Sequence, residues 1–87
     1  MVSFEYQIHD AMGLHARPVG VVVKAVKAYA DSQITIGFNG KTADAKRMFA
    51  VMGLQVKQGD TITVSVEGGD EQAAADAILG IFKEQEL

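Results

Sequence analysis

The chain has 87 residues, with 48% apolar and 22% charged side chains, which excludes a disordered polymer and suits one small core. It contains no cysteine, so neither disulfides nor thiolate metal sites can hold it. Its net charge of -3 argues against a general nucleic-acid or membrane binder, because basic surface dominates those affinities.

The opening residues, "MVSFEYQIHD", lack the basic-then-apolar profile of a secretory signal. No apolar run approaches the roughly 18 residues that cross a bilayer. A single cytoplasmic, monomeric domain over residues 1–87 is therefore expected. "VSFEYQI" alternates, with Val2, Phe4, Tyr6 and Ile8 on one face, and predicts a half-buried strand. "DAMG" follows as a loop.

From Ala16 to about Tyr29, helical spacing places Val19, Val22, Val23, Val26 and Ala30 on one side. Arg17, Lys24 and Lys27 fall on the other. Valine is a poor helix former, so this helix depends on its packed face. "QITIGF" alternates again, and Asn39-Gly40 predicts a tight hairpin turn into the short strand "KTAD". "AKRMFAVMGL" reads as a short helix with Gly53 as its C-terminal cap. "QVKQGD" turns the chain and "TITVSVE" forms another strand. Gly68-Gly69-Asp70 supplies a turn and an N-cap for a helix over about Glu71 to Lys83, whose Ala74, Ala75, Ile78, Ile81 and Phe82 share one side. One-faced strands and one-striped helices predict an α+β fold, an antiparallel sheet with helices on a single face.

The chemistry concentrates in "GLHARP", residues 13 to 18. The first N–H groups of a helix carry partial positive charge and favour anions. His15 falls at the predicted N-cap, beside the N–H groups of Ala16 and Arg17. Pro18 has no N–H, but in a first turn that donor would lack an intrahelical partner anyway. Arg17 adds a fork of donors shaped for phosphate oxygens. Positive surroundings disfavour imidazolium, which leaves a neutral, nucleophilic nitrogen on His15 and stabilises a phosphoryl group once attached. Against this stands the commoner use of a lone histidine near a helix start as a cap or a solvated polar group. The only other histidine, His9, is read as structural or solvent-exposed, and no metal or cofactor is expected. No second acid–base group is expected to converge on His15.

"GLHARP", together with "NGKTADAK", "VKQGDTITVSVEG" and "DEQAA", resembles the histidine-containing phosphocarrier family, HPr, of the bacterial phosphoenolpyruvate-dependent sugar phosphotransferase system. The likeness runs over essentially the whole chain. It implies an open-faced β-sandwich, four antiparallel strands covered by three helices in the order βαββαβα. It also implies that His15 takes a phosphoryl group on Nδ1 from Enzyme I and hands it to the A component of a sugar permease, with Arg17 positioning the group. Such a carrier is stoichiometric and not an enzyme in its own right.

The family's Gram-positive members carry a regulatory serine after the lysine of the "GKT…K" segment. Here Arg47 follows Lys46, so no hydroxyl is present for an ATP-dependent kinase. Arg47 can equally be a solvated charge at a helix start. Met48, Phe49 and Met52 are assigned by the resemblance to the partner surface, although spacing alone allows any of them in the core. Lys24 and Lys27 read either as an ordinary solvated face or, with Arg17, as a basic rim that steers acidic partners. The alternatives to a sugar-uptake carrier are a regulatory paralogue acting as an allosteric interaction module and a phosphoryl donor to another pathway.

Overall fold

The computed structural model describes residues 1–87. Four strands and three helices follow one another as β1 (Val2–Gln7), α1 (Ala16–Val26), β2 (Gln33–Phe38), β3 (Lys41–Asp44), α2 (Met48–Met52), β4 (Thr61–Glu67) and α3 (Glu71–Glu84). The sheet is antiparallel throughout, in the spatial order β1-β4-β2-β3. This is the expected α+β architecture.

Register explains which face is covered. Phe4 pairs with Val64, Val64 with Ile36, and Ile36 with Ala43, so one apolar row crosses all four strands. A second row, Val2, Val66 and Ile34, runs parallel to it. Because side chains alternate along a strand, Ser3, Glu5, Thr63 and Ser65 are left on the opposite face. The apolar rows meet Val19, Val22, Val23 and Val26 of α1 and Ala74, Ala75, Ile78 and Phe82 of α3 in one cluster of 21 buried residues. Phe82 carries the corner where α3 crosses β1: its ring lies 6.3 Å from that of Phe4 and 5.1 Å from that of Tyr6.

The local signals act as their chemistry requires. Asn39 and Gly40 both take positive φ, 53° and 79°, closing the hairpin between Phe38 and Lys41. The Asp70 carboxylate accepts the Ala73 N–H at the start of α3, and Glu71 accepts the N–H of Gly68.

Helix α1 is shorter than its pattern predicts. After Val26 the amides of Ala28 and Tyr29 bond three residues back, to Ala25 and Val26, and the helix tightens and stops. The Lys46 ammonium then takes the carbonyls of Tyr29 at 3.0 Å and Ser32 at 2.7 Å, which fixes the exit. Ala30 consequently lies exposed, not in the core. Helix α2 is shorter too, because Asp44 starts a turn instead, its carboxylate and carbonyl taking the amides of Lys46 and Arg47. Gly53 does occupy the C-cap of α2, but in right-handed conformation; the left-handed residue beyond the helix is Gln55.

Removing the ring at the α3–β1 corner leaves a large cavity between helix and sheet. Phe82→Ala is expected to cost about 3–5 kcal/mol, read as a drop in the urea midpoint with an unchanged slope.

Candidate functional site

His15 sits on the rim of the helical layer, where a loop anchored by the buried Ile8, Gly13 and Leu14 becomes a helix. Residues 8–14 are fastened from several sides. The Ile8 amide donates to Asp60, the Gly59 amide to Ile8, and the Gln58 side chain to the His9 carbonyl. The amides of His9 and Asp10 both donate to the Leu87 carbonyl. Leu14 is buried and its amide reaches the Val56 carbonyl at 3.2 Å.

Gly13 is the tightest point. It takes φ +67°, and a Cβ there would lie 2.2 Å from the Val56 carbonyl oxygen and 2.9 Å from the Lys57 Cα. Both neighbours are backbone and cannot turn aside. Only glycine lets the loop pass this close and still deliver His15 to the surface.

Around that glycine the chain folds into a small hydrogen-bonded turn. The Met12 amide donates to the Asp10 carboxylate at 2.8 Å, and the Gly13 amide to the Asp10 carbonyl at 2.9 Å. The other carboxylate oxygen of Asp10 lies 3.0 Å from Nε2 of His15. The two side chains are similarly accessible, 23% for His15 and 22% for Asp10.

This contact corrects two expectations. The environment of His15 is not uniformly positive, and a second ionisable group does converge on the ring. Nor does the ring cap the helix: His15 holds the N-cap position with extended backbone but makes no side-chain cap bond. The amide of Met12, and next the His15 ring, hold the Asp10 carboxyl below its usual range; desolvation opposes them, and the charges of His15 and Arg17 assist. Asp10 is therefore a carboxylate, an acceptor with no proton to give.

Ala16 and Arg17 are the first residues of α1, and both are exposed. Their N–H groups have no acceptor outside the helix. Pro18 is buried beneath them and fixes the first turn. Arg17, Lys24, Lys27 and Arg47 are all exposed, and none is held in an ion pair. Lys24 lies in the last turn of α1 and Lys27 at its C-cap. Arg47 holds the N-cap of α2, which packs beside α1.

The three apolar residues of α2 divide. Phe49 is 85% exposed, whereas Met48 and Met52 are half-buried against the core. Gly20, in the middle of α1, has open space where a side chain would stand. Together, His15, Arg17, the free amides and the exposed Phe49 lie on the α1–α2 side of the molecule. His9 is elsewhere: exposed, with its ring 6.0 Å from that of Tyr6 and edge-on to it. No helix is long and apolar enough to cross a membrane.

Such a site offers a nitrogen nucleophile, two backbone donors and one free guanidinium, the ingredients for holding a tetrahedral anion at a ring nitrogen. Comparison with known proteins points to the same chemistry. A family model described as the phosphorylation site of the HPr component of the phosphotransferase system matches residues 2–84. The chain is 42% identical over 86 residues to phosphocarrier protein HPr of Buchnera aphidicola, covering 99% of this chain and 100% of the relative. It is 38% identical over 82 residues to HPr of Haemophilus influenzae, covering 94% and 95%. Among solved structures, the histidine-containing phosphocarrier of a mycoplasma superposes with a TM-score of 0.95 at 35% identity, covering 99% of this chain and 97% of that one.

Gly13→Ala tests how the loop positions the ring. It is expected to cost at least about 2 kcal/mol from the left-handed backbone and the backbone clash together. The amide resonances of residues 10–15 and 56–57 should shift, while those of β2 and β3 stay in place.

Proposed function

The chain belongs to the HPr phosphocarrier family of the phosphotransferase system, and on that premise we propose that it carries a phosphoryl group on Nδ1 of His15, received from phospho-Enzyme I and passed to the A component of a sugar permease. The observation that carries this reading is the surface ring at the N-cap of α1, with two unclaimed amides and an unpaired Arg17 next in sequence. The donor phosphoryl approaches the ring with its oxygens toward positive partial charge. Developing charge on those oxygens is met by dipoles already in place, so little reorganisation is needed. Arg17, long and free, follows the phosphoryl group through both transfers.

A carrier must bind two partners and leave both. The exposed cations Arg17, Lys24, Lys27 and Arg47 raise the rate of encounter with acidic faces more than they hold a complex together. Phe49 supplies an apolar anchor whose removal from water favours docking. Met48 and Met52, half-buried against the core, flank Phe49 in the sequence of α2. Arg47 stands where related carriers present a regulatory serine, so we read this chain as outside control by the serine-directed kinase, which fits a specialised paralogue. The transfer chemistry needs no metal or cofactor on this chain.

Incubation with Enzyme I and phosphoenolpyruvate is expected to add the mass of one acid-labile phosphoryl group. His15→Ala should add none, and Arg17→Ala should slow transfer by about tenfold or more. Binding without transfer would replace the carrier by an interaction module. Phe49→Ala, which disturbs no core packing, is expected to raise the KM of Enzyme I for this carrier by several-fold with kcat little changed. Lys24→Glu with Lys27→Glu should lower kcat/KM most at low salt, the dependence fading as ionic strength rises.

A further inference from the structure

Asp10 makes a contact with the carrier histidine that sequence spacing gives no reason to expect. We propose that Asp10 is a positioning residue for His15: its carboxylate fixes the ring proton on Nε2 and so leaves the Nδ1 lone pair free for phosphorus. This deepens the carrier reading and rests on it.

The geometry allows only one arrangement of the proton. One Asp10 oxygen is occupied by the Met12 amide at 2.8 Å, and the other faces Nε2 at 3.0 Å. A carboxylate accepts and cannot donate. Nε2 must therefore be the donor, and in the neutral ring the other nitrogen, Nδ1, is then unprotonated. A fixed carboxylate on one imidazole nitrogen sets the tautomer and the ring angle, as it does in hydrolytic triads and behind metal-bound histidines.

The same contact accounts for charge through the transfer. The Nδ1 lone pair forms the new N–P bond while the bond from phosphorus to the donor breaks, its electron pair leaving with the donor. Nε2 keeps its proton, so the phosphorylated ring becomes a cation, and that cation faces the Asp10 carboxylate. On onward transfer the acceptor's nucleophile bonds to phosphorus and the N–P electron pair returns to Nδ1. No proton has to enter or leave Nε2 at any stage.

Asp10 is placed for this by backbone alone. Its carboxylate is aimed by the Met12 amide, its own amide is held by the Leu87 carbonyl, and Gly13 folds the loop so that positions 10 and 15 meet. The charge of Arg17 acts on the same carboxylate. Before phosphorylation, Arg17 thus has a nearby anion to balance.

Two substitutions separate positioning from simple structural support. In Asp10→Asn, the single amide oxygen can keep the Met12 amide, and the NH2 group then faces Nε2. That arrangement asks Nε2 to accept and drives the proton to Nδ1. Asp10→Ala removes the partner altogether and lets the ring choose. The ring proton is located by 15N chemical shifts of labelled His15 at a pH where the ring is neutral, without any partner protein. Transfer is then timed with phospho-Enzyme I.

The expected result is an Nε2 proton in the native chain and a predominantly Nδ1 proton in Asp10→Asn. Transfer should slow by at least about tenfold in Asp10→Asn, and by less in Asp10→Ala. A purely structural role reverses that order, since asparagine is the closer replacement. The same tautomer in the native chain and Asp10→Asn, or Asp10→Ala as slow as Asp10→Asn, would overturn the proposal. A native chain that takes no phosphoryl group would remove the carrier reading, and the tautomer measurement would then decide the role of Asp10 by itself.

Discussion

The near-collision of Gly13 with the backbone of Val56 and Lys57 is the constraint on which the site depends. A reactive ring must be presented at the surface, yet held to a fraction of an ångström. Here the precision comes from the hydrogen-bonded loop behind the ring, not from the ring itself. Leu14 anchors one side of the glycine, and the Asp10–Met12 turn closes the other. Helix α1 then begins where the loop releases the chain, and its valines are committed to the same core as the sheet. Packing of the 56–60 turn that leads into β4 and placement of His15 are therefore one problem: movement of that turn would move the ring.

Electrostatics divides the labour around the ring. The amides of Ala16 and Arg17 and the Arg17 guanidinium, which no carboxylate pairs, are donors suited to phosphate oxygens. Asp10 forms a negative side against Nε2. On the proposed carrier reading, a ring that is neutral while it attacks and cationic once phosphorylated faces the same Asp10 carboxylate in both states. The wider surface repeats the division at lower resolution. Exposed cations stand along α1 and at the start of α2, while much of the acidic excess behind the net charge of -3 lies on the sheet edges and α3.

Much of this was legible in the residues. The order of the seven elements, the Asn39-Gly40 hairpin, the Asp70 cap and the placement of His15 and Arg17 at a helix start all follow from local chemistry. The extents of α1 and α2 did not, because a distant side chain helps to fix the exit from α1 and a local turn replaces the first turn expected of α2. Lys46 ties down the chain after α1, and Asp44 opens a turn in which the Arg47 amide bonds three residues back, so that α2 begins only at Met48. Over five residues, spacing cannot separate Phe49, which faces solvent, from Met48 and Met52, which lean on the core. Asp10 was the consequential omission. It reads as one more polar loop residue, and only a left-handed glycine between them brings it to His15. An Asp-x-x-Gly-x-His spacing is a usable signal once that geometry is known.

The position of the phosphorus decides the account. With 15N-labelled histidine in the phosphorylated chain, one-bond splitting between 31P and 15N is expected at Nδ1 of His15 alone, with Nε2 still carrying its proton. Splitting at Nε2 would contradict the account, because that is the nitrogen the Asp10 carboxylate holds.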